Sequence, residues 1–326
     1  MQVSVIVLTW NGKRHLERCL PALAAQTWAG CEIVVVDNGS TDGSGGWVAA
    51  HHPSVRLIRN ETNRGFAAAV NQGIRATSGE FVVTLNDDTV VRSGWLKALV
   101  EPALGHDRVG MCASKMLQAQ DTQLIDAAGI EVDWAGIAWN RWRGDPVGAH
   151  ADAAPAAVFG PCAGAALYRR AMLDEIGLFD EDFFAYYEDV DLAWRAQRAG
   201  WRCLYVPGAA LVHLHSATGG RLPKMKRYWL GRNKLWTILK NYPSRWLWLC
   251  WPVIVAYDVG AILLGLARDG DLAALSGRLD ALREWKKFWQ KRAIPAGRPA
   301  PLAPLKAPWA ALAEKPKIDR AGRSPA

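Results

Sequence analysis

The sequence predicts an α/β fold, with a mostly parallel, doubly wound sheet flanked by helices. Three observations predict it. Short runs rich in Val and Ile, such as Val3–Leu8 and Glu32–Val36, lack the polar alternation of a half-exposed strand, as strands covered on both faces do. These runs alternate with segments of helical spacing, the pattern of βαβ units. Polar clusters then follow the strand candidates: Thr9 and Asn11, Asp37, and Asn86-Asp87-Asp88. In an open α/β sheet, ligands bind beyond the carboxyl ends of the strands, so these clusters converge on one edge.

Val3–Leu8 ends in the turn signal Thr9-Trp10-Asn11-Gly12. Lys13–Gln26 places Leu16, Cys19, Leu20 and Leu23 at helical spacing, with Pro21 as a possible interruption. Glu32–Val36 is a second strand, ending in the polar cluster Asp37–Ser44. Val55–Arg59 is a third strand, and Gly65–Thr77 a helix of small residues suited to close packing on a sheet. Phe81–Leu85 is the fourth strand, after which Ser93 is placed to cap a helix through Leu104. Val109–Met116 is a further strand, and residues 118–155, with Trp134, Trp139 and Trp142, read as an irregular or hairpin insert over the site. Phe159–Tyr168 mixes small residues with a strand, and Ala171–Ile176 forms a short helix. Glu188–Ala199 is amphipathic, and Trp201–Val206 and Ala209–Leu214 are two short strands.

Half of the 326 residues are apolar, which is ample for a large core. The six cysteines are scattered, with no CxxC spacing to suggest zinc or a redox dithiol, and fit a reducing compartment. The first residues lack a basic region and cleavage site, so a buried first strand is expected there. The first turn lacks Gly-x-Gly-x-x-Gly and Walker A spacing, which disfavours dinucleotide dehydrogenases and P-loop enzymes. The net charge of +8 is uneven: −6 over residues 1–220, +8 over 221–290 and +6 over 291–326. A basic back end points to an anionic partner, a membrane surface or nucleic acid, and the acidic front two-thirds disfavours nucleic acid.

Two acidic clusters carry candidate chemistry. Asp87 and Asp88 are adjacent carboxylates at a strand end; they repel, and a divalent cation relieves that repulsion. Magnesium-type sites use one or two carboxylates with substrate phosphates, so a metal–diphosphate site is one reading and a solvated turn the other. Glu188, Asp189 and Asp191 open a helix, where the dipole favours them, and Arg195 can pair with Asp191. The aromatic run before them supplies an apolar wall, and partial desolvation raises a carboxylate's basicity. His213 and His215 alternate along a strand, so at most one of them faces a site.

Five motifs in order carry a resemblance: Val3–Asn11, Val34–Asp42, Asn63–Asn71, Leu85–Thr89 and Tyr187–Leu192. Together they resemble inverting GT-A glycosyltransferases of the family 2 type, above all the rhamnosyltransferase-like branch of bacterial surface-polysaccharide enzymes, over roughly residues 1–240. The resemblance implies a GT-A nucleotide-diphospho-sugar transferase fold. It implies that Thr9, Asn11 and Asp37 line the base and ribose, with Asn63 and Asn71 near the nucleotide. Asn86-Asp87-Asp88 stands at the Asp-x-Asp position, with Asp88 as the ligand of Mg2+ or Mn2+, Asp87 facing the ribose, and Asn86 departing from the strict pattern. His213 matches a further metal ligand, with His215 as the second choice. Asp189 matches the catalytic base, with Glu188 beside it at the acceptor, and Arg232-Asn233 a pair that closes over the diphosphate. The implied reaction moves a sugar, dTDP-rhamnose being the branch-level donor, to a glycan or lipid-linked acceptor at the inner face of the cell membrane. A sugar-nucleotide pyrophosphorylase should show a Gly-rich, Arg-bearing loop after the first strand, which Thr9–Arg14 lacks. A processive synthase should show Gln-x-x-Arg-Trp and several spans. A non-catalytic glycan- or membrane-binding protein has no need of the carboxylates.

Arg221–Lys240 carries seven basic residues interleaved with Tyr228, Trp229 and Trp236. Trp246–Ala267 is a 22-residue apolar run, long enough to span a bilayer, but its central Asp258 makes a simple span costly by about 2.5–3.5 kcal/mol. An interfacial helix, a span or re-entrant hairpin, and a buried or dimer-contact helix are all open. Asp271–Arg292 reads as a second amphipathic helix. The expected organisation is a catalytic domain over 1–220, a membrane-associating region over 221–292 and a disordered Pro/Ala/basic tail over 293–326.

Overall fold

The computed structural model describes residues 2–214, 223–292, 303–308 and 310. Four parallel strands form one half of the main sheet: β1 (Val3–Thr9), β2 (Cys31–Asp37), β3 (Arg56–Arg59) and β4 (Phe81–Asn86), in the order β3-β2-β1-β4. Thr9 pairs with Asp37 and Leu8 with Asn86, so the three predicted polar ends are level. The short β5 (Thr89–Val91), β6 (Val109–Gln118), β7 (Ile125–Ala127), β10 (Ala156–Val158), β11 (Ala165–Arg169) and β12 (Arg202–His213) complete the sheet. There β11 runs antiparallel between β4 and β6, and β12 runs parallel to β6, giving a mixed sheet. The hairpin β8 (Ile130–Val132) with β9 (Ala138–Asn140) lies within the expected insert.

Alternation along β1 sorts the core into two layers, because successive side chains point to opposite faces. Val3, Val5 and Val7 pack with α1 (Lys13–Ala24) and α4 (Trp95–Leu104). Ile6 faces α3 (Phe66–Arg75), α5 (Arg170–Ile176) and α6 (Glu188–Arg198). A Cβ at Gly73 of α3 would lie 2.5 Å from the Ile6 side chain, so this helix approaches the sheet as its small residues predict. The helix α2 (Ser44–His51) follows the polar turn after β2. Pro21 does not interrupt α1; it sits on the exposed face, where water can serve the carbonyl it leaves unbonded.

Several sequence expectations are corrected. Ser93 does not cap α4: Gly94 holds that position in a left-handed conformation without a side-chain cap. The two strands expected over 201–214 are one strand, β12, with an irregularity between Val206 and Ala210. The helix expected over 271–292 is two, α9 (Ala273–Arg283) and α10 (Trp285–Gln290). Part of the expected tail, residues 303–308, lies on the insert: the Lys306 N–H donates to the Val132 carbonyl at 2.8 Å and its ammonium pairs with Glu131 at 3.0 Å.

The back third packs on the same apolar layer as one face of the sheet. The helices α7 (Pro223–Asn241) and α8 (Ser244–Asp269) carry Trp236, Trp246 and Ile254, which share one apolar cluster with Ile6 and Val34. Much of the positive charge is spent inside the molecule. Asp191 receives Arg195 at 2.9 Å, Lys240 at 2.9 Å and Asn241 at 2.8 Å, and these partners hold its carboxyl down at about 2 against the cost of burial. Asp180 pairs with Lys240 and Lys291, and Asp182 with Lys287 and Lys291.

Trp246, Cys250, Ile254 and Asp258, four residues apart, form the inward face of α8. Asp258 is ion-paired with Lys234 at 2.6 Å and Arg278 at 2.7 Å, so the protein answers the charge that opposes a span. The opposite face is apolar and open, with Trp248 78% and Leu249 74% exposed. Ser244–Arg268 contains an 18-residue window with a mean hydropathy of 1.9 and is long and apolar enough to cross a membrane by length and composition.

Candidate active site

The cleft lies at the carboxyl ends of β1, β2 and β4. Thr9 is buried at the end of β1, and its hydroxyl donates to Asp87 Oδ2 at 2.6 Å. A Cβ on Gly12 would fall 1.8 Å from the same oxygen, so the close approach requires glycine there. Burial pushes the Asp87 carboxyl up to about 7, the Thr9 hydrogen bond opposing and the Asp88 charge adding. Asp87, for which the sequence suggests a place facing the ribose, packs against the first turn beside Thr9 and Gly12. Asn86 faces Gly164, where a Cβ would lie 3.1 Å from its amide nitrogen.

Asp37 is buried at the end of β2; it accepts from the Ser40 N–H at 3.0 Å and lies 3.8 Å from Arg59. Asn11, at a positive φ of 54°, accepts from the Thr41 N–H at 2.8 Å, tying the first two strand-end turns together. Asn63 accepts from the Asn38 amide at 2.9 Å and the Gly65 N–H at 2.9 Å. Asn38, which the sequence reading misses, also takes Asn60 and the Arg64 N–H, each at 3.0 Å, and so shapes this loop. Asn71 is buried away from the strand ends, with its amide exchanging hydrogen bonds with Phe179 and donating to Glu181. It thereby holds the 179–181 segment.

Pairing of β5 with β12 sets His213 opposite Thr89, directly beside Asp88. His213 Nε2 lies 3.4 Å from Asp88 Oδ2, and Nδ1 lies 2.8 Å from Asp126 Oδ2. Although burial alone would lower it, hydrogen bonds to Asp126 and Asp88 and the charges of both raise the imidazole to about 9. His215 lies outside the described residues. Asp126, on β7, is a further residue the sequence does not reveal, because only the β6–β7 pairing brings it to His213. The donor set fits a divalent ion. Two ligands on one octahedral cation at ~2.1 Å sit ~3 Å apart, and a carboxylate with an imidazole suits Mn2+ better than all-oxygen Mg2+. Among the described residues no group of three His, Cys, Asp or Glu is present.

The base candidate stands across the cleft. Asp189 is half-buried at the start of α6; its Oδ2 accepts from the Ala163 N–H at 3.2 Å and its Oδ1 from the Val190 N–H at 2.8 Å. Burial raises its carboxyl to about 6, with these backbone donors opposing. Glu188, buried beside it, is raised further, by desolvation and by the Asp189 charge. Two neighbouring carboxyls whose environments separate their protonation suit an acid–base site. One short segment joins the two ends of the cleft. Ala163 donates to Asp189 and accepts from the Thr84 hydroxyl at 2.6 Å, and Gly164 accepts from the Asn86 N–H at 2.9 Å.

Arg232 lies against the segment that precedes Asp189. Its guanidinium donates to the carbonyls of Asp182 and Phe183 and lies 4.1 Å from the Trp236 ring centre. Asn233, buried beside it, donates to the carbonyls of Phe183, Ala185 and Tyr186 at 2.9, 2.9 and 2.7 Å. Both hold the strap that leads to Asp189, in which Phe184, Tyr186 and Tyr187 all have positive φ. Non-glycine residues adopt that conformation only when the surroundings impose it.

The profile of Glycosyl transferase family 2 matches residues 4–177. An N-acetylglucosaminyl-diphospho-decaprenol L-rhamnosyltransferase of Mycobacterium tuberculosis is 30% identical over 240 residues, which cover 67% of this chain and 78% of that one. A pre-mycofactocin glycosyltransferase of the same organism is 28% identical over 85% of this chain and 56% of its own. Among solved structures, a mannosyltransferase from Pyrobaculum calidifontis, in complex with GDP-Man and Mn2+, superposes with a TM-score of 0.54 at 20% identity, covering 90% of this chain and 84% of that one. GalNAc-T7 with UDP, GalNAc and Mn2+ superposes with a TM-score of 0.61 at 18% identity, covering 90% and 58%. With a GT-A scaffold, level strand ends and a family profile over more than half its length, this chain belongs to glycosyl transferase family 2.

Proposed function

We propose that the enzyme is an inverting, metal-dependent glycosyltransferase that moves a sugar from a nucleotide-diphosphate donor to a hydroxyl of a lipid-linked or polymeric glycan. The observation that carries this reading is the Ala163–Gly164 segment, which sets Asp189 at a fixed place relative to Asn86-Asp87-Asp88. Asp189 takes the proton from the acceptor hydroxyl. The freed oxygen attacks the anomeric carbon from the face opposite the nucleotide, the anomeric carbon–oxygen bond breaks, and nucleoside diphosphate departs with inversion. Asp88 and His213 would hold the cation, Mn2+ or Mg2+, which when bound neutralises charge on the diphosphate. The relative's printed name, an L-rhamnosyltransferase acting on a diphospho-decaprenol, favours a deoxyhexose donor such as dTDP-rhamnose and a lipid-diphosphate acceptor. Screening nucleotide sugars with Mn2+ tests the reading: release of nucleoside diphosphate supports it, whereas release of pyrophosphate indicates nucleotidyl chemistry.

A lipid acceptor also accords with the outer face of α8. Its inward face is packed on the catalytic layer, so we place this helix in the plane of an anionic membrane surface. Arg245, Arg268 and Lys286 are exposed around the apolar face, and Leu247, Trp248, Trp251 and Trp289 with Ser244 line a groove of about 290 Å³. Replacing Trp248 and Leu249 together by Ser removes about 3–6 kcal/mol of apolar transfer if both side chains enter lipid. Sedimentation with anionic liposomes should then fall at least tenfold while the soluble fold persists. Unchanged sedimentation would place the membrane contact elsewhere.

A further inference from the structure

With Arg232 committed to the strap, two other cations stand at the cleft. Arg143, 41% exposed, lies 3.5 Å from Asp126, the residue that holds His213. Lys226, in the first turn of α7, is half-buried, and its ammonium sits 5.5 Å from the Tyr186 ring centre. Its basicity is lowered by burial first and then by the Arg143 guanidinium, with Asp126 opposing, which marks the two cations as neighbours. Like charges gathered in a half-buried place repel, and a polyanion with oxygens for both relieves that repulsion.

Next to them is an aromatic shelf. Phe184 stacks on Trp229 at 5.1 Å and 24°, and Tyr186 leans on Trp229 at 6.1 Å; all three rings are partly exposed. The Tyr186 hydroxyl is raised by burial and by the Glu188 charge, so the shelf adjoins the base pair Glu188–Asp189. Around the cleft thus run Glu188, Tyr186, Lys226, Arg143, Asp126, His213 and Asp88. Ring faces suit the C–H face of a pyranose, and paired cations suit a diphosphate.

We propose that the Phe184–Trp229–Tyr186 shelf, with Lys226 and Arg143 beside it, is the acceptor subsite, seating a sugar on the rings and its diphosphate on the two cations. This rests on the lipid-diphosphate acceptor proposed above. Tyr186 stands two residues before Glu188 in the strap that leads to Asp189, so the shelf lies on the side where an acceptor hydroxyl meets Asp189, which assigns these cations to the acceptor rather than the donor.

The test uses a water-soluble acceptor, a sugar linked through a diphosphate to a short alkyl chain. In Lys226→Ala, acceptor KM should rise roughly ten- to a hundredfold, the scale of one charged hydrogen-bond partner, while donor KM stays within about twofold. Arg143→Gln should move the same constant in the same direction, and Trp229→Ala should raise it for a phosphate-free sugar acceptor as well. An unchanged acceptor KM in folded Lys226→Ala, or a rise confined to the donor, overturns the subsite. Calorimetric binding of the soluble acceptor to the wild-type enzyme separates this from the transfer reading. Binding without transfer from any donor counts against the transferase mechanism and leaves the subsite standing; no binding counts against the subsite alone.

Discussion

Asp189→Asn should lower transfer by about 10²- to 10⁴-fold, the usual share of a general base, while donor affinity stays near that of the wild type. Asparagine keeps an oxygen for the Ala163 or Val190 N–H, so the start of α6 should keep its shape. What it loses is the ability to accept a proton. The wild-type carboxyl, raised to about 6 by burial, must be ionised to act. Wild-type kcat/KM should therefore rise with pH through about 6 and fall below it, and the residual rate of Asp189→Asn should lack that limb. Because Glu188 titrates with Asp189, the limb belongs to the pair. Ordinary turnover by a correctly folded Asp189→Asn enzyme would remove Asp189 from the base role.

The second large effect concerns the cation. Asp88→Ala should abolish measurable Mn2+ binding by electron paramagnetic resonance and take transfer with it. Chelation of the wild-type enzyme should do the same, reversibly on adding Mn2+. Asp126→Asn should weaken Mn2+ binding about 10- to 100-fold without touching a ligand, because the Asp126 carboxylate orients the His213 ring through Nδ1 and leaves Nε2 toward Asp88. An enzyme fully active after chelation would take Asp88 and His213 out of the metal role.

The parallel half of the sheet is legible in the sequence because β1, β2 and β4 are unbroken apolar runs, each followed at once by polar residues. That pattern also gives Thr9, Asp37 and Asp88 their common edge. The Asp88–His213 pair is only half legible: β5 has three residues, too few for a periodic signal, yet its pairing with β12 is what sets His213 beside Asp88. Asp126 and Asn38 leave no trace in spacing, since their partners come from distant parts of the chain. A basic residue at the right point in the chain reads as a phosphate ligand, while in the fold Arg232 and Asn233 donate to the carbonyls of Asp182, Phe183, Ala185 and Tyr186 in a strap with three positive-φ residues. Likewise the positive charge of the back third reads as a surface for an external anion, while Lys240, Lys287 and Lys291 meet Asp180, Asp182 and Asp191. Composition records how much charge a segment carries but not which partner it meets.

The most direct measurement is the anomeric configuration of the new linkage, read by NMR on the product formed from a nucleotide sugar of known configuration, together with the nucleotide released. Single displacement with Asp189 as base predicts inverted configuration and one nucleoside diphosphate per sugar transferred. A retained configuration, or release of pyrophosphate, would contradict it.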